Sequence, residues 1–377
     1  MADFDITPFE KHLDEIQPHT EYKTKYVIEY VKGWLRVACN RRATRNINFI
    51  DCMCNAGIYL NGVLGTPTEV LIIFSQFASE YKHIKFNLFL NDVDSDRINV
   101  VKEVLKASVH YEKIDNINLY FSTEDVNDYL SNLLIKETFF NYNAQAFTLL
   151  FVDPYKFGDV EILKLNTFLN KYRSELIYNY FISDYRRNIN NQHAPNKQCM
   201  MVNSMKGIEG YDKDKNGDEL LYILQENFKN KTNLKYTFAY PFHIMNNAKL
   251  YYIIYGTPHI AGIKQLKQCI WTVFNGDSKH RTKKDPSQIT LFTDDVQKQS
   301  NEDIYSIKAR ELLVNKFNNQ TVEYTEIEEF VICSTMLTSN QIIKNVLKPL
   351  INEHKVIKLN KHGLKDYKKD SFSFSFR

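Results

Sequence analysis

Apolar residues recur at intervals of three and four from Thr20 to Cys39, through Tyr26, Val27, Tyr30, Val31, Trp34, Leu35 and Ala38, a period that predicts an amphipathic helix. Thr20 is a suitable N-cap, with Pro18 as a helix-excluding residue just before it. Five short apolar runs then follow: Ile47 to Asp51, Phe86 to Asn91, Ile117 to Phe121, Ala146 to Val152 and Glu175 to Ile182. Helical patterns separate them at Thr66 to Tyr81, Ser95 to Ser108 and Val126 to Lys136. A run with no polar alternation suits a strand covered on both faces. The alternation of runs and helices predicts an α/β fold with a parallel sheet built by right-handed crossovers.

After the fifth run the rhythm changes. Residues 184 to 216 are polar and irregular, with RRNINN, NKQ and DKDKNGD, and a helix from about Glu219 to Phe228 follows; the whole reads as an insertion over about 184–233 at the edge of a site. Lys235 to Tyr240 and Leu250 to Tyr255, separated by a polar stretch with Asn246 and Asn247, predict a terminal antiparallel hairpin, covered by a helix at 260 to 274. The basic run SKHRTKKDPSQ at 278 to 288 reads as a linker, which extends to 302 and ends a first domain of residues 1–277. Beyond it, residues 303–377 show helices at 303 to 318, 325 to 333 and from Thr338-Ser339 to about Glu353, then VIKLN and SFSFSF as strands around KHGLKDYKKD. Three helices and a two-stranded wing predict a small winged-helix domain whose third helix is the recognition element.

Composition narrows the class without naming a reaction. Of 377 residues 44% are hydrophobic and 14% aromatic, enough for a large globular core. No apolar run reaches membrane-spanning length, and the start MADFDITPFEKH has no signal-peptide pattern, so a soluble cytoplasmic protein with no membrane partner is the expectation. Cys39, Cys52, Cys54, Cys199, Cys269 and Cys333 include no Cys-x-x-Cys, and no metal site is expected from them. The net charge of +3 is too small to announce a nucleic-acid partner. From Gln341 onward, however, eight lysines and Arg377 stand against Glu353, Asp366 and Asp370, an excess that favours DNA or RNA over a protein partner for the last domain.

The candidate chemistry lies where the apolar runs end. NINFIDCMCNAG ends its strand at Asp51 and FTLLFVDPYKFG at Asp153; in an open α/β sheet ligands bind beyond such carboxyl ends. Asp51, Cys54, Asn55, Ala56 and Gly57 would form a tight turn against the amino-acid end of a nucleotide-like cofactor. Asp92, or less readily Asp94, would take two ribose hydroxyls, and Asp125 beside Glu124 an adenine amino group or, equally, a helix N-cap. Asp153, Pro154 and Tyr155 would accept a hydrogen bond from a target amine, set the turn and stack on a flat ring. Asn179 ends the fifth run on the same side, and Arg186 and Arg187 could clamp phosphate. His19, Lys23 and Lys25 at the start of the first long helix could meet a carboxylate or a phosphate, or simply be solvated.

In their order, HTEYKTKYVIEYVKGW, NFIDCMCNAGIYLNG with GTP at 65 to 67, FLNDVD, FVDPYKFG, YNYFISDYRRNIN, YPFH, QITLF and the C-terminal helices resemble the bacterial three-Cys-motif partner proteins along nearly the whole chain. The resemblance implies a Rossmann-like class I methyltransferase sheet of five parallel strands plus an antiparallel hairpin, with a small C-terminal winged-helix domain. It implies S-adenosylmethionine as cofactor, held by the loop Asp51 to Gly57 with Tyr59 and by Asp92, and a separate three-cysteine partner resembling radical S-adenosylmethionine enzymes. The family commonly reads Phe-Ala-Gly-Pro-Gly after the first aspartate's strand, where Met53-Cys54-Asn55-Ala56-Gly57 stands here, and commonly has Gly soon after the Asp-Pro-aromatic, where Lys156 and Phe157 precede Gly158. The expected activity is methyl transfer to an amino group of a nucleic acid. The alternatives are a catalytically silent module that binds nucleic acid or recruits the partner, and a magnesium-dependent hydrolase or nuclease using Asp51, Asp92 and Asp153.

Overall fold

The computed structural model describes residues 5–140, 145–243, 249–281, 294–360 and 372–376. They divide into two units, one running to His259 and including Arg281, the other holding Ile260–His280 and the residues from 294 onward.

The first unit is mixed α/β. Its strands are β1 (Asn46–Asp51), β2 (Lys85–Asn91), β3 (Ile117–Ser122), β4 (Ala146–Val152), β5 (Ser174–Tyr180), β6 (Tyr236–His243) and β7 (Lys249–Thr257), in the order β3-β2-β1-β4-β5-β7-β6; the two-residue β8 spans His280–Arg281. β1 to β5 are parallel, while β7 runs antiparallel to both β5 and β6. β1 and β4 therefore lead outward in opposite directions along the sheet, and their carboxyl ends flank the crevice at which open α/β sheets hold ligands. A ladder of side-chain amides fixes the register in the interior. Asn118 donates to Asn87 (2.9 Å), Asn87 to Asn48 (2.8 Å) and Asn48 to Thr148 (3.1 Å), each to the residue aligned with it on the next strand. Slipping any of these strands by one residue would strand buried amides without partners.

The helices of this unit are α1 (Pro18–Cys39), α2 (Thr66–Glu80), α3 (Ser95–Ser108), α4 (Val126–Leu133), α5 (Glu137–Phe140), α6 (Ile162–Lys171), α7 (Ile182–Asn188), α8 (Pro195–Ser204) and α9 (Gly217–Lys231). α1, α2 and α3 pack side by side, as do α4, α6 and α9, whose Leu130, Leu165, Phe168, Leu224 and Phe228 bury against Ile50, Leu150, Leu176 and Ile254 of the sheet. The buried face of α1 carries Tyr26 and Tyr30, whose rings lie 5.8 Å from Tyr240 and 4.9 Å from Tyr255. α1 starts two residues before its expected N-cap. Gln17 stands at the N-cap position without a side-chain cap, and Pro18 occupies the first turn, where a missing N–H costs nothing. The polar stretch read as irregular contains α7 and α8, and the strand expected to reach Ile182 ends at Tyr180 because that residue already opens α7.

The second unit holds α10 (Ile260–Phe274), α11 (Asp294–Phe317) and α12 (Tyr324–Ser334), then the helical segments Ser339–Ile342 and Lys348–Asn352 joined through the π-turn Ile343–Leu347. Its antiparallel sheet has three strands, β9 (Thr321–Glu323), β10 (Val356–Asn360) and β11 (Phe372–Phe376), in the order β10-β11-β9. β9 lies outside the two strands read from sequence, being only three residues long. Thr338 stands at the N-cap of the segment that begins at Ser339, and Gln341 Oε1 accepts its backbone N–H (2.8 Å). α10 belongs to this unit rather than to the sheet domain in which the sequence placed it. There Trp271 Nε1 donates to the Met336 carbonyl (2.7 Å), and Lys264 pairs with Glu328 (2.5 Å). Asn246 and Asn247, most of the 278–288 run and KHGLKDYKKD fall outside the described residues. Among the described residues no helix is long and apolar enough to cross a membrane.

Candidate functional site

Asp51, Asp153 and Asn179 meet beyond the carboxyl ends of β1, β4 and β5. Asp51 is fully buried; its Oδ1 accepts the Met53 N–H at 3.3 Å, while Oδ2 has no hydrogen-bond partner among the described residues. Burial, then the neighbouring charge of Asp153, pushes its pKa well above the usual carboxylate value. Asp153 Oδ1 accepts from Asn179 Nδ2 at 2.7 Å, and Oδ2 accepts from Lys23 Nζ. Lys23 reaches it from the second turn of α1 and is itself buried. Of the three cations at that helix start, it is the one that meets a site carboxylate. Lys25 pairs with Glu21 at 2.7 Å on the surface, and the His19 ring packs edge-on to Tyr251, with burial and then Lys23 lowering its pKa.

The loop after β1 is shaped by two left-handed residues. Asn55 takes φ +56°, a conformation asparagine tolerates better than other non-glycine residues. Its backbone N–H donates to Asp92 Oδ2 (3.0 Å), its Nδ2 to Asp14 Oδ2 (2.9 Å), and its Oδ1 accepts the Ala56 N–H (2.6 Å). Gly57 has φ +74°, and a Cβ there would lie 2.7 Å from Val101 Cγ2 and 2.9 Å from Thr68 Oγ1. Its carbonyl accepts from Gly65 N–H (2.8 Å) and Thr68 Oγ1 (2.6 Å), fastening the loop to the start of α2. Ala56 faces inward with Leu13, Ile58, Val100 and Val104. Asp92, also buried, holds Asn55 with one oxygen and the Asp94 N–H with the other (3.0 Å), and burial raises its pKa.

Two cavities open on this loop. The smaller, about 230 Å³, is lined by Lys23, Asp51, Gly57, Tyr59, Asp153 and Pro154, with Cys54 and Asn55 at its edge. The larger, about 720 Å³, is lined by Asp92, Asp94, Arg97, Glu124 and Asp125. Met53 and Tyr155 line both. Arg97 stands over the Tyr155 ring (5.2 Å), donates to its hydroxyl, and pairs with Asp14 at 3.2 Å. Asp125 caps α4 by accepting the Asn127 N–H (2.8 Å), so the N-cap role expected as its alternative is realised while its residue still faces the larger cavity. Arg186 pairs with Asp218 (3.3 Å); Arg187 donates to the Ser183 carbonyl and lies 4.0 Å from Asp184. Neither lines the two cavities.

Asp14 and Arg97 carry no motif and are invisible as site residues in sequence, since they meet only once the N-terminal segment folds over the loop. Among the described residues no group of three or more His, Cys, Asp or Glu side chains, Asp51, Asp92 and Asp153 included, is placed to hold a metal ion. What gathers instead is a set of hydrogen-bond acceptors. Asp51 Oδ2 and Asn179 Oδ1 are both buried without partners among the described residues, so this edge suits a ligand bearing N–H or O–H donors and positive charge. No family model and no curated protein matches this chain.

Proposed function

We propose that the chain is an S-adenosylmethionine-dependent methyltransferase of the class I sheet type that acts on an amino group of a nucleic acid and works with a three-cysteine partner. The C-terminal helices and antiparallel sheet are read as a winged helix that delivers the nucleic acid. The observation that carries the reading is the convergence of Asp51, Asp92 and Asp153 with the left-handed loop Asn55–Gly57 where the parallel strand order reverses.

The acceptor set fits the cofactor. Asp92 lines a cavity of nucleoside size and keeps lone pairs for ribose hydroxyls beyond the two N–H groups it already holds. Asp51 Oδ2, buried and unpartnered among the described residues, suits an ammonium group. Asn55 adopts the conformation that a glycine would supply in the family's loop. When bound, the cofactor supplies a methyl group on a sulfonium. The chain's own part is placement: Asp153 accepts a hydrogen bond from the target amine and orients its lone pair, Tyr155 lies against the base, and Lys23 yields Asp153 Oδ2 to the incoming amine.

The Lys23 contact also favours a second reading, a catalytically silent module that binds nucleic acid or recruits its partner, because both oxygens of Asp153 are already engaged. Calorimetric titration with S-adenosylmethionine and its demethylated product separates the two. The first reading requires saturable binding that weakens by at least about tenfold in Asp92→Ala, the loss of hydrogen bonds to a charged acceptor, and persists in Asp153→Ala. Absence of binding to the wild type, with nucleic-acid or partner binding that survives both substitutions, would establish the second.

A further inference from the structure

The opposite edge of the same sheet carries the reverse charge. Around the starts of β4 and β5, the loop after α1 and the end of β7, a cavity of about 510 Å³ is lined by Arg41, Phe147, Lys171, Arg173, Glu175 and His259 among others. The Arg41 guanidinium stands over the Phe147 ring at 5.2 Å, which fixes the direction of its fork. Arg173 Nη2 meets His259 Nε2, a nitrogen that brings no countercharge. Among the described residues neither arginine is paired with a carboxylate, unlike Arg97 and Arg186 of the same unit. Burial, followed by Arg173, Arg41 and Lys235, lowers the pKa of His259, so several cations bear on one point. Among the described residues Glu175 is the one carboxylate lining the cavity, and it is committed: Tyr30 and Tyr255 donate to its Oε2, and Thr257 donates to Oε1 at 3.1 Å. Lys171 donates to the Leu134 carbonyl (2.9 Å) at the rim.

Two guanidiniums beside a histidine, in a cavity whose one acid among the described residues is spent on hydroxyls, lack one component: an anion able to accept from two forks at once. Phosphate has that geometry and charge. We propose that this cavity is a phosphate-binding site, occupied by a backbone phosphate of a single-stranded nucleic acid or by the phosphate of a free nucleotide. The inference is independent of methyl transfer and holds whether or not the opposite edge binds a cofactor.

The test uses the full chain without cofactor. Anisotropy of a fluorescein-labelled oligouridylate is measured across a salt series, and calorimetry is run with adenosine 5′-monophosphate, for wild type, Arg41→Ala/Arg173→Ala, Arg41→Lys/Arg173→Lys, and Lys344→Ala/Lys348→Ala in the second unit. Both arginines are exposed, so unchanged melting of the variants is the expected control. If a strand occupies the site, the double alanine variant weakens oligonucleotide binding at least about tenfold and lowers the slope of log K against log salt by about one, the lysine variant recovers part of the loss, and the monophosphate binds poorly. If a nucleotide occupies it, the monophosphate binds the wild type and is lost in the double alanine variant. Unchanged binding of both ligands in Arg41→Ala/Arg173→Ala, or an oligonucleotide loss confined to the Lys344 and Lys348 variant with no monophosphate binding to the wild type, would overturn the proposal.

Discussion

Replacing Lys23 by Met removes the cation from Asp153 while keeping most of the side chain's volume. The carboxylate left behind retains one hydrogen bond, from Asn179, and faces Asp51. Breaking a fully buried ion pair by removing one partner costs about 3–5 kcal/mol. Here the side chains are 10% and 22% exposed and Asn179 remains, which brings the expected loss to about 2 kcal/mol, or roughly 5 °C in the melting of a unit this size. The chain has two tryptophans, and in a Trp271→Phe background Trp34, buried on the same helix as Lys23, reports on the first unit. Urea unfolding followed by Trp34 fluorescence is then compared for Lys23→Met, Asp153→Asn and the double variant. Because Asp153→Asn removes the abandoned charge, the double variant should regain at least about 1 kcal/mol relative to the sum of the single effects. A Lys23→Met loss below about 0.5 kcal/mol, or strictly additive single and double effects, would refute the claim that this pair is a desolvated contact at the heart of the site.

Two further predictions concern backbone and charge. Gly57→Ala should destabilise the first unit by at least about 1 kcal/mol more than Gly62→Ala, because both have positive φ but a Cβ collides at Gly57 and meets nothing within 4 Å at Gly62; thermal melting of the pair measures the difference. In the second unit, burial lowers the pKa of Lys267 from 10.5 to about 7. The folded unit releases that proton first, so its stability should rise from about pH 7 toward pH 10.5 by up to about 1.4 kcal/mol per pH unit, while below pH 7, where both states hold the proton, Lys267 adds no pH dependence. Lys267→Met should flatten that dependence, as denaturant melts at pH 7, 8 and 9 would reveal.

The parallel strands were legible because a strand buried on both faces writes an unbroken apolar run: Ala146–Val152 coincides with its expected bounds, and β1 to β3 differ by a residue at one end. What the pattern hides is pairing across distance. Asn48, Asn87 and Asn118 look like breaks in apolar runs, yet they form the ladder that fixes register. The strand-end acids were visible by position, and Lys23 as a cation that could meet a carboxylate, but its partner lies 130 residues away. Asp14 and Arg97 could not be found at all, since 83 residues separate them and each looks solvated alone. β9 and α8 escaped for a simpler reason, being short and mixed in polarity.

Net charge was the least informative quantity because it sums over two edges of opposite sign. Asp51, Asp92, Asp125 and Asp153 stand at the carboxyl ends of the strands, while Arg41, Lys171 and Arg173 stand at the other ends, a separation that the whole-chain balance of +3 does not register. If both edges act as proposed above, this separation limits how one nucleic acid would use them. β4 has seven residues, so at about 3.3 Å per residue the two edges lie roughly 20 Å apart. A mononucleotide held at Arg41 and Arg173 cannot place its base against Asp153, whereas a strand of several nucleotides can run from one edge to the other. A polyanion is repelled at the acidic edge, so anchoring it at the basic one is the way to present a single uncharged base where the acceptors are. Cofactor affinity should therefore be unchanged in Arg41→Ala/Arg173→Ala, while any dependence of that affinity on nucleic acid should appear only with strands long enough to span the sheet and should vanish in the same variant.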